Sequence, residues 1–218
     1  MLKKIIFKSR YIINQLLKSY IQHPPYDEKI HRGLISTEDP IRYTTLALAL
    51  NTLKKDNIQG TIAEVGVYKG HTSKILHVLC PERKLYLFDT FEGFPSQFLN
   101  KEDRRFSNSS VNILKKTIGN LDNIIIKKGI FPETTTGLEN EKFSFVLLDL
   151  DLYEPTLAAL EFFYSRVNPG GYIFIHDYNN PLESEGAIYK AVNKFFSNKS
   201  EWIIELPDKW GSVLIRKL

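Results

Sequence analysis

A single cysteine, Cys80, occurs among the 218 residues. One thiol cannot close an internal disulfide, so nothing in the chain calls for an oxidising compartment. Free cysteines are commonly buried and inert, and Cys80 is expected to fill a small space near the end of a helix. Long apolar runs are also missing: none reaches the roughly 18 residues needed to cross a bilayer. The opening stretch Met1-Leu2-Lys3-Lys4-Ile5-Ile6-Phe7-Lys8 has the basic start of a signal peptide. Lys8 and Arg10 interrupt its apolar part and no small-residue cleavage site follows, so a cytoplasmic protein is expected. Charge of one sign is not in large excess. The formal net charge is +4, too little to argue for nucleic acid, and no basic-aromatic patch accompanies it. Internal repeats and low-complexity tracts are absent.

The chain has 43% hydrophobic and 25% charged residues, an ordinary globular balance compatible with one α/β domain. Leu2 to Ile21 carries apolar residues at helical spacing (Ile5, Ile6, Ile12, Ile13, Leu16, Leu17, Tyr20), with Lys and Arg on the other face. That pattern is a basic amphipathic helix, suited to packing on the domain, to a second subunit in a homo-oligomer, or to peripheral contact with an anionic membrane. His23-Pro24-Pro25 ends it. Residues 1–38 are thus assigned to an N-terminal helix and linker, and 39–218 to the main domain. Thr37-Glu38-Asp39-Pro40 supplies capping residues and an early proline for a helix over Ile41–Lys55.

From Gln59 onward short β-rich runs alternate with helical ones. Strands are expected at Thr61–Val65, Lys84–Asp89, Ile124–Lys128, Phe143–Leu150 and Tyr172–His176. Helices are expected at Thr72–Leu79, Val111–Ile118, Thr156–Val167 and Gly186–Phe196, with a turn at Pro169-Gly170-Gly171. Trp202–Leu206 and Val213–Arg216, joined by a short turn, read as an antiparallel edge pair. Such alternation gives a mostly parallel seven-stranded sheet with helices on both faces, a Rossmann-like α/β fold. Phe145-Val146-Leu147-Leu148 is apolar throughout, as befits a strand covered on both sides. Pro95–Ser110 is polar and Asn/Ser-rich, a candidate lid.

In an open α/β sheet ligands bind beyond the carboxyl ends of the strands. Those ends carry Glu64 and Gly66, then Asp89, Gly129, Asp149 with Asp151, and His176 with Asp177. Gly66 and Gly70 flank the turn after the first strand, where glycine permits positive φ and a close approach of backbone to ligand. Their spacing is G-x-x-x-G. The second glycine of the dinucleotide pattern G-x-G-x-x-G, which admits a pyrophosphate, is missing. A cofactor without phosphates, S-adenosyl-L-methionine, fits better. Asp89 follows Glu64 by 25 residues, near the ~20-residue offset at which a carboxylate takes both ribose hydroxyls. Val67, Tyr68, Thr90 and Phe91 complete the candidate cofactor site with Gly129. Phe94, Phe131 and Tyr153 are further aromatics able to wall it, His71 borders it, and His77 is expected on the helix surface.

The blocks Ala63-Glu64-Val65-Gly66-Val67-Tyr68-Lys69-Gly70, Phe88-Asp89-Thr90-Phe91-Glu92-Gly93-Phe94-Pro95, Lys128-Gly129-Ile130-Phe131-Pro132-Glu133-Thr134, Leu148-Asp149-Leu150-Asp151-Leu152-Tyr153 and Pro169-Gly170-Gly171-Tyr172 through His176-Asp177-Tyr178 resemble, in this order, the macrocin O-methyltransferase (TylF/MycF-like) family. Leu206-Pro207-Asp208-Lys209-Trp210-Gly211-Ser212 extends the resemblance, which runs from about Asp39 to the C-terminus. It implies a class I methyltransferase fold and methylation of a sugar hydroxyl with S-adenosyl-L-methionine, usually with a divalent metal such as Mg²⁺ or Mn²⁺. Asp149 and Asp177 match the family's metal-ligand positions. His176 stands where the family often has a second Asp, and histidine suits transition metals better than Mg²⁺. A third metal ligand, a general base, or no metal at all are the readings this leaves. Macrolide-sugar members carry a histidine base in the lid, but Lys101–Asn112 contains no histidine, which makes His176, beside Asp149, the first catalytic candidate. The acceptor is expected to be a sugar of a polysaccharide, lipid-linked glycan or glycosylated metabolite. A catechol-like or other vicinal diol, or a cofactor-binding protein without chemistry, are the alternatives. A nucleic-acid acceptor is not expected, because Asp149-Leu150-Asp151-Leu152 replaces the Pro-Pro-Tyr type of motif beside the fourth strand.

Overall fold

A computed structural model describes residues 26–99, 102–180 and 186–218. The amphipathic helix expected over Leu2–Ile21 lies outside the described residues. Part of the expected linker is helical: α1 spans Glu28–Ile35, its Asp27 cap accepting from the Ile30 N–H at 2.9 Å. Leu34 buries against the core. Helix α2 (Pro40–Lys55) starts where the sequence indicates, with Asp39 as N-cap and Pro40 in the first turn, where a missing N–H costs nothing.

Five parallel strands follow: β1 (Thr61–Val65), β2 (Leu85–Asp89), β3 (Ile124–Lys128), β4 (Phe143–Leu148) and β5 (Val167–Ile175). Two antiparallel strands, β6 (Ile203–Glu205) and β7 (Val213–Arg216), close one edge. The order is β3-β2-β1-β4-β5-β7-β6, the expected seven-stranded sheet. Between strands lie α3 (His71–Leu79), α4 (Val111–Ile118), α5 (Tyr153–Tyr164) and α6 (Ala187–Phe196). All of β4 is buried. Val146 and Leu148 face a layer with Phe163 of α5 and Val192 of α6. Phe145 and Leu147 face the other layer, with Leu46 and Leu50 of α2, Leu76 of α3 and Leu114 of α4. This two-sided burial is why β4 reads as an unbroken apolar run.

Three elements differ from the sequence expectation by more than one residue at an end. β4 ends at Leu148, and the Asp149 N–H makes the last ladder bond, to the Val65 carbonyl at 2.8 Å. α5 begins at Tyr153 and ends at Tyr164; Pro155 is tolerated in its first turn. Pro169-Gly170-Gly171 is part of β5 instead of a turn. Phe143 pairs with Val167 but Phe145 with Tyr172, so the extra residues form a bulge. A Cβ on Gly171 would lie 2.8 Å from the Ser144 carbonyl oxygen, so only glycine passes there.

Strands β1, β2 and β3 progress one way across the sheet and β4 and β5 the other. Their carboxyl ends therefore part between β1 and β4, and that parting opens a crevice.

Candidate functional site

A cavity of about 520 Å³ fills the crevice, within the usual range for small-ligand sites. Its β1–β2 half is lined by Glu64, Gly66, Val67, Tyr68, Asp89 and Thr90, with Gly129 from the end of β3. The β4–β5 half presents Asp149, His176 and Asp177. Phe98, Arg105 and Phe106, from the stretch expected to be a lid, also line it, as does Phe94 just before that stretch. That stretch is tied to the glycine turn: the Tyr68 hydroxyl donates to Asn108 Oδ1 at 2.6 Å, and the Tyr68 ring meets Phe106 edge-on at 5.2 Å.

The turn after β1 is fastened by Asp89. Its Oδ2 accepts the N–H groups of Val67 and Tyr68 at 2.7 and 2.8 Å, and Oδ1 accepts that of Phe91 at 2.6 Å. The clamp holds Tyr68 at φ +53°. Asp89 thus shapes the turn as well as facing the cavity. A carboxylate has about four lone-pair positions, so it retains room for hydroxyl donors. Gly66 is required for a different reason from the one the sequence suggested. A Cβ there would fall 1.8 Å from the Asp149 carbonyl oxygen, so the close approach is between β1 and β4. At Gly70 the obstacle is Leu114, 2.3 Å from a would-be Cβ.

Glu64 is 1% exposed. Burial raises its proton affinity and pushes the pKa up to about 8. The Ser73 hydroxyl, donating to Oε2 at 2.5 Å, and the Arg42 charge act the other way, while Asp149 and Asp89 add to the rise. No cation neutralises this carboxyl at close range among the described residues.

Across the cavity, His176 sits between two carboxylates. Its Nδ1 lies 3.2 Å from Asp149 Oδ1 and 3.1 Å from Asp177 Oδ2, with neither oxygen in line to accept a hydrogen bond. On the opposite ring edge Arg42 Nη1 is 2.9 Å from Nε2, and Arg42 Nη2 donates to Asp149 Oδ2 at 2.8 Å. Burial opposes ionisation of these groups. Their mutual attraction outweighs it: His176 and Arg42 hold Asp149 below the usual carboxylate range, and Asp149 with Asp177 pushes His176 up to about 9. The guanidinium has only N–H donors. A neutral His176 therefore turns its lone pair to Arg42, and a protonated one has none. In neither state does the ring offer a free lone pair to the cavity, which removes the geometric basis for His176 as direct proton acceptor. Asp177 and Asp151 both adopt left-handed backbone (φ +60°), a conformation that Asp enters more readily than most non-glycine residues.

Of the residues singled out by sequence, Gly70, Phe91 and Tyr153 do not line the cavity; Phe91 packs in the core with Val67. Phe94, Phe131 and His71 do line it, and His77 is buried instead of surface-exposed. Sequence reading missed Glu38, Arg42, Tyr43, Asn180 and Trp210. One signal for Arg42 was present. It stands on the stripe Arg42-Leu46-Ala49-Leu50-Leu53, at helical spacing with four buried apolar residues.

A family model described as Macrocin-O-methyltransferase (TylF) matches residues 39–200. Over 156 residues the chain is 28% identical to 8-demethyl-8-(2,3-dimethoxy-alpha-L-rhamnosyl)-tetracenomycin-C 4'-O-methyltransferase of Streptomyces olivaceus, a match covering 63% of this chain and 60% of that protein. It thus spans less than two thirds of that relative's length. Mycinamicin III 3''-O-methyltransferase of Micromonospora griseorubida is 24% identical over 193 residues, covering 78% of this chain and 74% of that one. The solved structure of the O-methyltransferase NovP superposes with a TM-score of 0.69 at 18% identity, over 82% of this chain and 80% of that one. At that identity the likeness is one of fold.

Proposed function

Because the chain belongs to the macrocin O-methyltransferase (TylF) family, we propose that it transfers a methyl group from S-adenosyl-L-methionine to a sugar hydroxyl on a glycan or glycosylated metabolite. The observation that carries this reading is the single cavity that joins the Glu64–Asp89 half to the Asp149–His176–Asp177 half across the parting of β1 and β4.

The β1–β2 half fits the methyl donor. Glu64 is a buried carboxyl with no close cation, and its raised proton affinity is what an ammonium group would reverse. Asp89 keeps lone pairs for ribose hydroxyls. The first turn of α3 has no side-chain cap, so its free N–H groups suit a carboxylate. S-adenosyl-L-methionine supplies a methyl on a sulfonium, which the acceptor oxygen displaces in line to give a methyl ether, S-adenosylhomocysteine and a proton.

The β4–β5 half prepares the acceptor. Arg42 brings a positive charge to the cavity wall, and a cation beside a hydroxyl favours its ionised form. Asp149 holds Arg42 and His176 in place; with so low a proton affinity it is a poor base. We assign the departing proton to Asp177, the carboxylate of the cluster that Arg42 does not bridge. Asp177 is oriented by Asn180, whose Nδ2 donates to Oδ1 at 2.9 Å. No step runs through a divalent ion. Among the described residues no helix is long and apolar enough to cross a membrane, and the cytoplasmic setting remains part of the proposal.

Calorimetric titration with S-adenosyl-L-methionine tests the donor half: saturable one-to-one binding is expected, and absence of binding overturns the reading. Incubation with glycosylated acceptors and mass-spectrometric detection of one added methyl group then tests the acceptor class.

A further inference from the structure

We propose that Arg42 is the resident cation of the Asp149–His176–Asp177 cluster and takes the place that the family resemblance assigns to a divalent ion. What the cation does for an acceptor rests on the methyl-transfer reading; where it sits rests on geometry alone.

Asp149, His176 and Asp177 have the donor types and mutual distances of a metal triad, with potential ligand atoms within 4.8 Å of one another. Ligation by His176 through Nδ1, the nitrogen facing both carboxylates, requires a lone pair there and hence the proton on Nε2. Arg42 Nη1 stands 2.9 Å from Nε2 and can only donate. In a neutral ring Arg42 therefore forces the lone pair onto Nε2 and the proton onto Nδ1, and a protonated ring carries a proton on Nδ1 as well, so in neither state does Nδ1 have a lone pair for an ion. The same guanidinium occupies Asp149 Oδ2 through Nη2. One planar side chain thus takes an oxygen from Asp149 and fixes the histidine tautomer that cannot ligate. The residues present do not fit a divalent ion.

Arg42 is held there from its backbone. It is 7% exposed. Asp39 Oδ1 accepts its N–H at 3.2 Å, and Asp39 Oδ2 accepts that of Lys209, also at 3.2 Å, so the first turn of α2 is pinned to the loop after β6. Asp39 and Asp208 also approach His176. Each of their oxygens already accepts a hydrogen bond, from a backbone N–H or the Ser212 hydroxyl, so both carboxylates are committed to joining α2 and the loop before β7.

Mn²⁺ alone is the probe. Electron paramagnetic resonance of Mn²⁺ with wild-type protein, free of S-adenosyl-L-methionine, is expected to show the signal of the free ion up to millimolar protein. Arg42→Ala restores the lone-pair choice at His176 and frees Asp149. It is expected to bind Mn²⁺ at least about tenfold more tightly than wild type. Methyl transfer by wild type is expected to persist in excess EDTA. Stoichiometric binding of Mn²⁺ by wild type that Asp149→Asn abolishes would overturn the proposal, as would loss of turnover in EDTA and its recovery on adding Mn²⁺. If Arg42→Ala does not fold, the two wild-type measurements decide alone. Failure of the methyl-transfer reading registers separately, as absent S-adenosyl-L-methionine binding.

Discussion

Replacing Glu64 with glutamine should make the ligand-free protein more stable at alkaline pH and less able to bind the methyl donor. The folded-state pKa is about 8 against an ordinary 4.5, with burial as the main cause. Between those values the folded protein holds a proton that the unfolded chain has lost. Its contribution to stability is therefore complete below pH 4.5 and is lost as pH rises through 8. At about 1.4 kcal/mol per pH unit, the gap sets a ceiling of about 5 kcal/mol. The effective dielectric of real protein interiors, nearer 20 than 4, reduces the expected value to ~2–3 kcal/mol. Glutamine keeps the size and an acceptor for the Ser73 hydroxyl but does not titrate. Urea unfolding of both proteins at pH 5.5 and 8.5, without ligand, isolates the effect in the difference between their pH dependences. His176, whose raised pKa makes stability fall as pH rises through about 9, is common to both and cancels. Parallel stability–pH profiles, within about 0.5 kcal/mol, would refute the account of Glu64 as a buried carboxyl without a cation. In the same variant, S-adenosyl-L-methionine affinity should fall about tenfold or more, because a charge-assisted contact worth roughly 1.5–3 kcal/mol is gone.

Gly66→Ala places a methyl 1.8 Å from a backbone carbonyl at φ +88°. The sheet cannot yield locally, so a loss above about 3 kcal/mol is expected by chemical denaturation, and donor binding by calorimetry should disappear. Phe163→Ala empties the centre of an aromatic cluster in which ring centroids lie 5.0 Å from Phe143 and 5.6 Å from Phe131. Denaturant unfolding should show a loss of about 3–5 kcal/mol, and a loss under 1 kcal/mol would contradict the packing described. Lys217→Met leaves Glu201, a buried carboxylate 2.7 Å from the lysine, with its Tyr164 hydroxyl contact but no cation. A cost of about 2 kcal/mol is expected at neutral pH. Because Glu201 is held near 2, wild type should lose that advantage as pH falls from 4.5 towards 2, and the two stabilities should converge in acid.

Much of the fold was written locally. Strand β4 announces its two-sided burial in an unbroken apolar run, α2 begins at Asp39-Pro40 because a cap and an early proline act within one turn, and the glycine turn after β1 is a matter of a few φ angles. Those signals are short in range, so sequence alone determined the order of elements, the sheet class and the strand ends that carry Glu64, Asp89, Asp149 and Asp177. Tertiary structure decided what those residues meet. Gly66 is glycine because of a carbonyl on β4, Asp89 spends hydrogen bonds on the turn it faces, and the strand β5 absorbs a Pro-Gly-Gly that reads locally as a turn. Arg42 is the plainest case. Its partners lie 107 and 134 positions away, and only the packing of α2 over the parting of β1 and β4 brings a guanidinium to Asp149 and His176. Helical periodicity can mark an arginine as buried, but which carboxylate and which ring nitrogen it meets depends on contacts that no local pattern encodes.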